Sequence, residues 1–80
     1  MARLKNEAYT QAFSKHLREL RENKKMTLQE LGIASKLDLA TIHRIETTHG
    51  NVTLITILAL AKGLKVHPKE LLNFDHEEFL

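Results

Sequence analysis

Twenty residues near the middle of the chain, TLQELGIASKLDLATIHRIE from Thr27 to Glu46, restrict its possible folds more than any other stretch. They hold two short amphipathic segments, each with its own start signal. Thr27 followed by Glu30 forms a capping box, in which the hydroxyl accepts from the third backbone N–H and the carboxylate reaches back to the threonine N–H. The helix opened there runs from Leu28 to about Ser35 and offers Leu28, Leu31 and Ala34 for burial. Asp38 provides a second N-cap, for a helix from Leu39 to about Thr47 that turns Ile42 and Ile45 inward. Helices this short are marginal by themselves, so the flanking segments must hold them.

Upstream, Tyr9, Phe13, Leu17 and Leu20 recur at spacings of four, four and three, predicting an amphipathic helix of about five turns from Glu7 to about Lys24. Residues 1–6, MARLKN, read as an N-terminal arm in which Asn6 offers a cap. Downstream, Thr47, Thr48, His49, Gly50 and Asn51 form a polar loop, with Gly50 able to take a positive φ. Thr53 caps a helix over Leu54 to Lys62 that Gly63 ends. His67 and Pro68 open a last short helix with Leu71, Leu72 and Phe74 to bury. No segment alternates with period two, and no repeat is visible. The expected fold is all-α with five helices: an arm at 1–6, a folded domain at 7–74 and an acidic tail at 75–80.

Composition narrows the function classes. A chain of 80 residues is one domain that buries only roughly 60–65% of its unfolded surface, so a second subunit matters. The absence of cysteine excludes disulfides, thiolate metal sites and cysteine nucleophiles. The longest apolar run, Leu54 to Ala61, includes Thr56 and is far short of a membrane span. No secretory leader is apparent at the N-terminus, and the expected location is the cytoplasm with no membrane partner. No nucleophile, base and orienting group assemble, and no glycine-rich phosphate loop exists, so an enzyme is not expected. The five histidines include His43 and His49, six apart across a helix end, which is no recognised ligand spacing. Neither metal, cofactor nor small-molecule ligand is expected. Net charge is +2, but residues 1–36 carry eight Lys/Arg against four Asp/Glu, whereas residues 37–80 carry four against six. That asymmetry suits a phosphate backbone, although an ordinary solvated surface fits the charge count equally well.

From Leu28 to Thr47 the positions match a helix-turn-helix: Gly32 is fifth, and Leu31, Ile42 and Ile45 are fourth, fifteenth and eighteenth. With LRELRENKKMT before this motif, IHRIE at its end, and NVTLITI, LALAKGL and VHPKELL after it, the chain resembles the Cro/C1-type (XRE) helix-turn-helix family over residues 13–74. Lambdoid phage repressors and restriction-modification controller proteins belong to that family. The resemblance implies a five-helix, lambda-repressor-like fold and a structural ion pair between Arg21 and Glu46. Two departures stand out. The turn position usually held by glycine is Lys36, which either takes a left-handed conformation costing roughly 1 kcal/mol or belongs to a slightly different turn. Leu28, Leu39 and Ala40 are apolar where the family often has polar or basic residues.

In such proteins the N-terminal part of the third helix enters the major groove. The resemblance therefore makes Leu39, Ala40, Thr41, His43 and Arg44 the candidates for base contacts. Arg44 is the best donor, since its fork matches O6 and N7 of guanine; the alternative is a surface arginine paired with a nearby carboxylate. Leu39 either meets a thymine methyl or folds back on Leu28. Gln29, Lys36, Thr47, Thr48, His49 and Asn51 are candidates for DNA backbone contacts, which orient the protein without reading sequence. Ile55 and Leu58 occupy positions often polar in the family; with Leu72, Phe74, Phe79 and Leu80 they form a candidate dimer interface. The expected function is a sequence-specific regulator of transcription, a homodimer on double-stranded, palindromic operator DNA. A restriction-modification controller and a stand-alone repressor are equally compatible. The alternatives are a protein-binding or antitoxin-like module using the same scaffold, and a domain that no longer binds DNA.

Overall fold

The computed structural model describes residues 7–48 and 51–75, and the side chain of Thr48 is not among what it describes. The expectations placed on the arm and Asn6, on His49 and Gly50, and on Phe79 and Leu80 lie outside the described residues. Within them are four α-helices: α1 (Glu7–Asn23), α2 (Leu28–Ser35), α3 (Leu39–Thr48) and α4 (Leu54–Leu64). The expected fifth helix is instead a 3-10 turn over Pro68–Leu72. His67 Nδ1 accepts from the Lys69 N–H and the His67 carbonyl accepts from the Glu70 N–H, which winds the segment tightly from its first residue. The chain then bends back so that Phe74 reaches α1, its ring 5.2 Å from that of Tyr9 and 6.5 Å from that of Phe13.

One core joins all five elements: Phe13 and Leu17 from α1, Leu31 from α2, Ile42 and Ile45 from α3, Leu60, Ala61 and Leu64 from α4, and Leu71 from the 3-10 turn. On α2 the buried face runs through Leu31, Gly32 and Ser35, with Leu28 half-buried at its edge. Ala34, expected inside, is exposed because Gly32 and Ser35 draw that face to the other side of the helix. Leu54 is outside the core, with 68% of its surface exposed, while Ile57, Leu60, Ala61 and Leu64 of the same helix pack inward.

Both threonine caps form. Thr27 accepts from the Glu30 N–H at 3.0 Å while the Glu30 carboxylate accepts from the Thr27 N–H at 2.8 Å, and Thr53 accepts from the Thr56 N–H at 3.2 Å. Asp38 starts α3 through its carbonyl, which accepts from the Ile42 N–H; no side-chain cap forms there among the described residues. At the other ends, α1, α2 and α4 stop in the same way. Lys25, Lys36 and Lys65 take positive φ of 57°, 60° and 60°, and each is followed by an apolar residue, Met26, Leu37 or Val66, that packs on the core. In each case the N–H of that apolar residue bonds a carbonyl five residues back, at 2.9 to 3.1 Å. These are Schellman closures with lysine where glycine is usual.

Gly63 therefore does not end α4, which continues through Leu64. Its lack of a side chain serves packing: a Cβ there would lie 2.9 Å from both the Cβ and the backbone nitrogen of Ser35. Gly32 has a similar role, since its Cβ would meet the Leu37 carbonyl oxygen at 2.9 Å. These two glycines let α2 press against α4 and against the turn into α3.

Candidate nucleic-acid interface

The outer face of α3 is set by what its inner face buries. With Ile42 fully buried and Ile45 nearly so, Leu39, Ala40, His43, Arg44 and Thr47 lie together as an exposed stripe, and Thr41 is half-buried at its margin. The structure thus brings the candidate base-contact residues to one surface. Leu39 keeps half of its surface exposed. The turn leading into this face takes the left-handed alternative, with Lys36 at φ 60° and ψ 37° and its side chain exposed. Gln29 and Asn51 are also exposed. The Thr47 hydroxyl donates to the His43 carbonyl at 2.7 Å, so toward solvent it can only accept.

The far end of α3 is held from α1. Glu46 is buried, and Arg21 meets it through two parallel bonds, Nε to Oε2 at 2.8 Å and Nη2 to Oε1 at 3.0 Å. The third nitrogen of the fork donates to the Met26 carbonyl at 2.8 Å, tying the pair to the closure of α1. The hydrogen bond to Glu46 raises the Arg21 pKa above its already alkaline value against the opposing effect of burial, so the guanidinium is a permanent cation. The ion pair implied by the family resemblance is in place.

Two further contacts at this end were not anticipated from sequence. Ser14, buried in α1, donates its hydroxyl to the Ile45 carbonyl at 2.7 Å. Arg18 donates to the Glu46 carbonyl at 3.3 Å and brings Nε within 3.5 Å of its carboxylate. The signal was present: positions 14, 18 and 21 follow the apolar positions 13, 17 and 20 one residue behind, with the same spacing of four and three. A polar stripe alongside an apolar one is easily taken for the solvated side of the helix.

On α4, Leu54, Ile55 and Leu58 are exposed, together with Leu72 beyond it; Ile55 is the most open at 73%. Phe74 differs from these candidates, being half-buried against Tyr9, Phe13 and His16 of its own chain. Among the described residues, no three His, Cys, Asp or Glu side chains are grouped to hold a metal ion, and no helix is long and apolar enough to cross a membrane.

The helix-turn-helix domain family matches residues 12–74. The restriction-modification controller protein C.AhdI from Aeromonas hydrophila is 37% identical and superposes with a TM-score of 0.73, over 78% of this chain and 94% of that one. The wild-type controller protein C.Esp1396I is 28% identical with a TM-score of 0.74, over 80% of this chain and 84% of that one. A variant of C.Esp1396I bound to its highest affinity operator site is 28% identical with a TM-score of 0.74, over 85% and 100% of the two chains. No curated protein matches. From the family match, the similar structures and the geometry of α2 and α3, this chain belongs to the helix-turn-helix domain family, of the Cro/C1 (XRE) type.

Proposed function

We propose that this protein is a sequence-specific DNA-binding regulator of transcription that acts as a homodimer on a palindromic operator. The observation that carries this reading is the exposed stripe of α3 from Leu39 to Thr47, presented by a helix fixed at its other end in a fold of this family. In the proposed complex, Leu39, Ala40, Thr41, His43 and Arg44 face base edges, and Gln29, Lys36 and Asn51 face phosphates. The similarity to C.AhdI and C.Esp1396I supports the narrower role of a restriction-modification controller.

Selection of bound sites from random duplex DNA, followed by Arg44→Ala on the enriched site, tests the assignment. Loss of preference at one base pair in each half-site, worth about 1–3 kcal/mol, is expected. Unchanged preference would place the reading surface elsewhere.

One recognition helix reads only a few base pairs, and half-sites on one DNA face lie about 34 Å apart, which two linked copies can span. The exposed Leu54, Ile55, Leu58 and Leu72 supply an apolar surface for that pairing. Light scattering on Ile55→Glu is expected to give the monomer mass; a dimer mass equal to wild type would exclude this face.

A protein-docking module is the second reading, favoured by the exposure of Ile33 at 73% and Leu39 at 50%. Salt separates the two. DNA affinity falls with a log–log slope of about −0.9 per phosphate contacted, whereas apolar docking does not weaken in this way.

A further inference from the structure

The last four carbonyls of an α-helix have no partner within it. In α1, α2 and α4 the backbone closes back on itself to meet such groups. In α3 the carbonyls of Ile45 and Glu46 accept from side chains of another helix, Ser14 and Arg18 of α1. Arg21 adds the bidentate grip on the Glu46 carboxylate. The three α1 residues span seven positions, about 10 Å along the helix axis. A single bond would act as a pivot, but three attachments along that length hold an angle. Arg18 and Arg21 also place cations at the negative end of the α3 dipole, which reinforces the attachment.

Resting on the DNA-binding reading, we infer that Ser14 and Arg18 are positioning residues for DNA recognition. They fix the tilt of α3 against α1 and thereby the placement of its exposed stripe in the groove. Leu39 lies six residues, about 9 Å, from the anchored end, so a tilt of about 6° displaces the tip of the helix by about 1 Å. A hydrogen bond to a base edge does not survive many such displacements. The carbonyl bonds are therefore part of what makes the helix discriminate, although neither Ser14 nor Arg18 is on its reading face.

The test compares wild type with Ser14→Ala and Arg18→Gln by fluorescence anisotropy. The probes are the duplex enriched from random DNA and an unrelated duplex of the same length. Both variants are expected to lose about tenfold in the ratio of the two affinities, comparable to one base-edge contact, while the salt slope on the unrelated duplex changes by less than one phosphate contact. A purely structural role would lower the melting temperature and leave the ratio of the folded protein intact, and that result overturns the inference. Should Ser14→Ala fail to fold, Arg18→Gln decides alone, because the Arg18 side chain is 48% exposed and its replacement leaves the core untouched. If wild type enriches no site, the DNA-binding reading falls and the inference with it; an enriched site with unaltered ratios removes only the inference.

Discussion

Glu46→Ala is expected to lower the free energy of unfolding by about 3–5 kcal/mol, the range found when one partner of a buried ion pair is removed. Glu46 is 3% exposed and the Arg21 side chain 12% exposed, so the guanidinium left behind faces little water. It cannot escape by losing its proton, because its pKa lies above an already alkaline reference. The folded-state pKa is raised, so the associated stability is fully present below the unfolded value and is lost only as pH rises through the folded one. That window is far alkaline, so the Arg21 shift adds no pH dependence near neutral pH. A domain of this size has a total stability of roughly 4–12 kcal/mol. The variant should therefore lose a large share of its stability, which a urea titration followed by circular dichroism will show as a lowered midpoint. A loss below about 1 kcal/mol, the worth of a surface pair, would mean that water reaches the pair in solution. Arg21→Met combined with Glu46→Leu should recover much of the loss, since apolar replacement of both partners leaves no buried charge.

Gly63→Val comes second, with an expected loss of about 3 kcal/mol from forced overpacking. The added Cβ meets Ser35 backbone and Cβ, neither of which can swing aside as the end of a long side chain would. Relief requires α2 and α4 to separate, and the motif rests on α2. At this chain length the melting temperature should fall by roughly 12–24 °C. Lys62→Val, at the exposed neighbouring position, is the control for the helix propensity of valine and should change it by only a few degrees. Equal effects at the two positions would show that the close approach of the helices contributes little.

These variants also mark where sequence was enough and where it was not. Thr27 with Glu30, and Thr53, could be read because a cap is written within four residues. Ile42 and Ile45 could be read because the helical period places them. Gly63 was misread because a glycine that ends a helix and one that admits a neighbouring helix look the same until the neighbour is known. The true stop, Lys65, carries no glycine to announce it. Leu54 has the apolar character of a core residue, yet it lies off the face of α4 that carries Ile57, Leu60, Ala61 and Leu64 to the core. The surface candidates on α3 came from family resemblance combined with period. Ser14 and Arg18 acquire meaning only when α1 is laid against the end of α3, a relation between positions 28 and 31 residues apart.

Lys25–Met26, Lys36–Leu37 and Lys65–Val66 write one device three times. A left-handed lysine costs about 1 kcal/mol relative to glycine. A cation at the carboxyl end of a helix returns about 0.3–1 kcal/mol of that. The near cancellation makes these three positions adjustable: exchanging lysine for glycine at any of them changes the surface charge by one unit while leaving the helix stop and the total stability almost where they were. The electrostatic attraction of this domain for a polyanion can thus drift over evolutionary time without disturbing its architecture, and Lys36, in the turn before α3, is the setting nearest the proposed reading face.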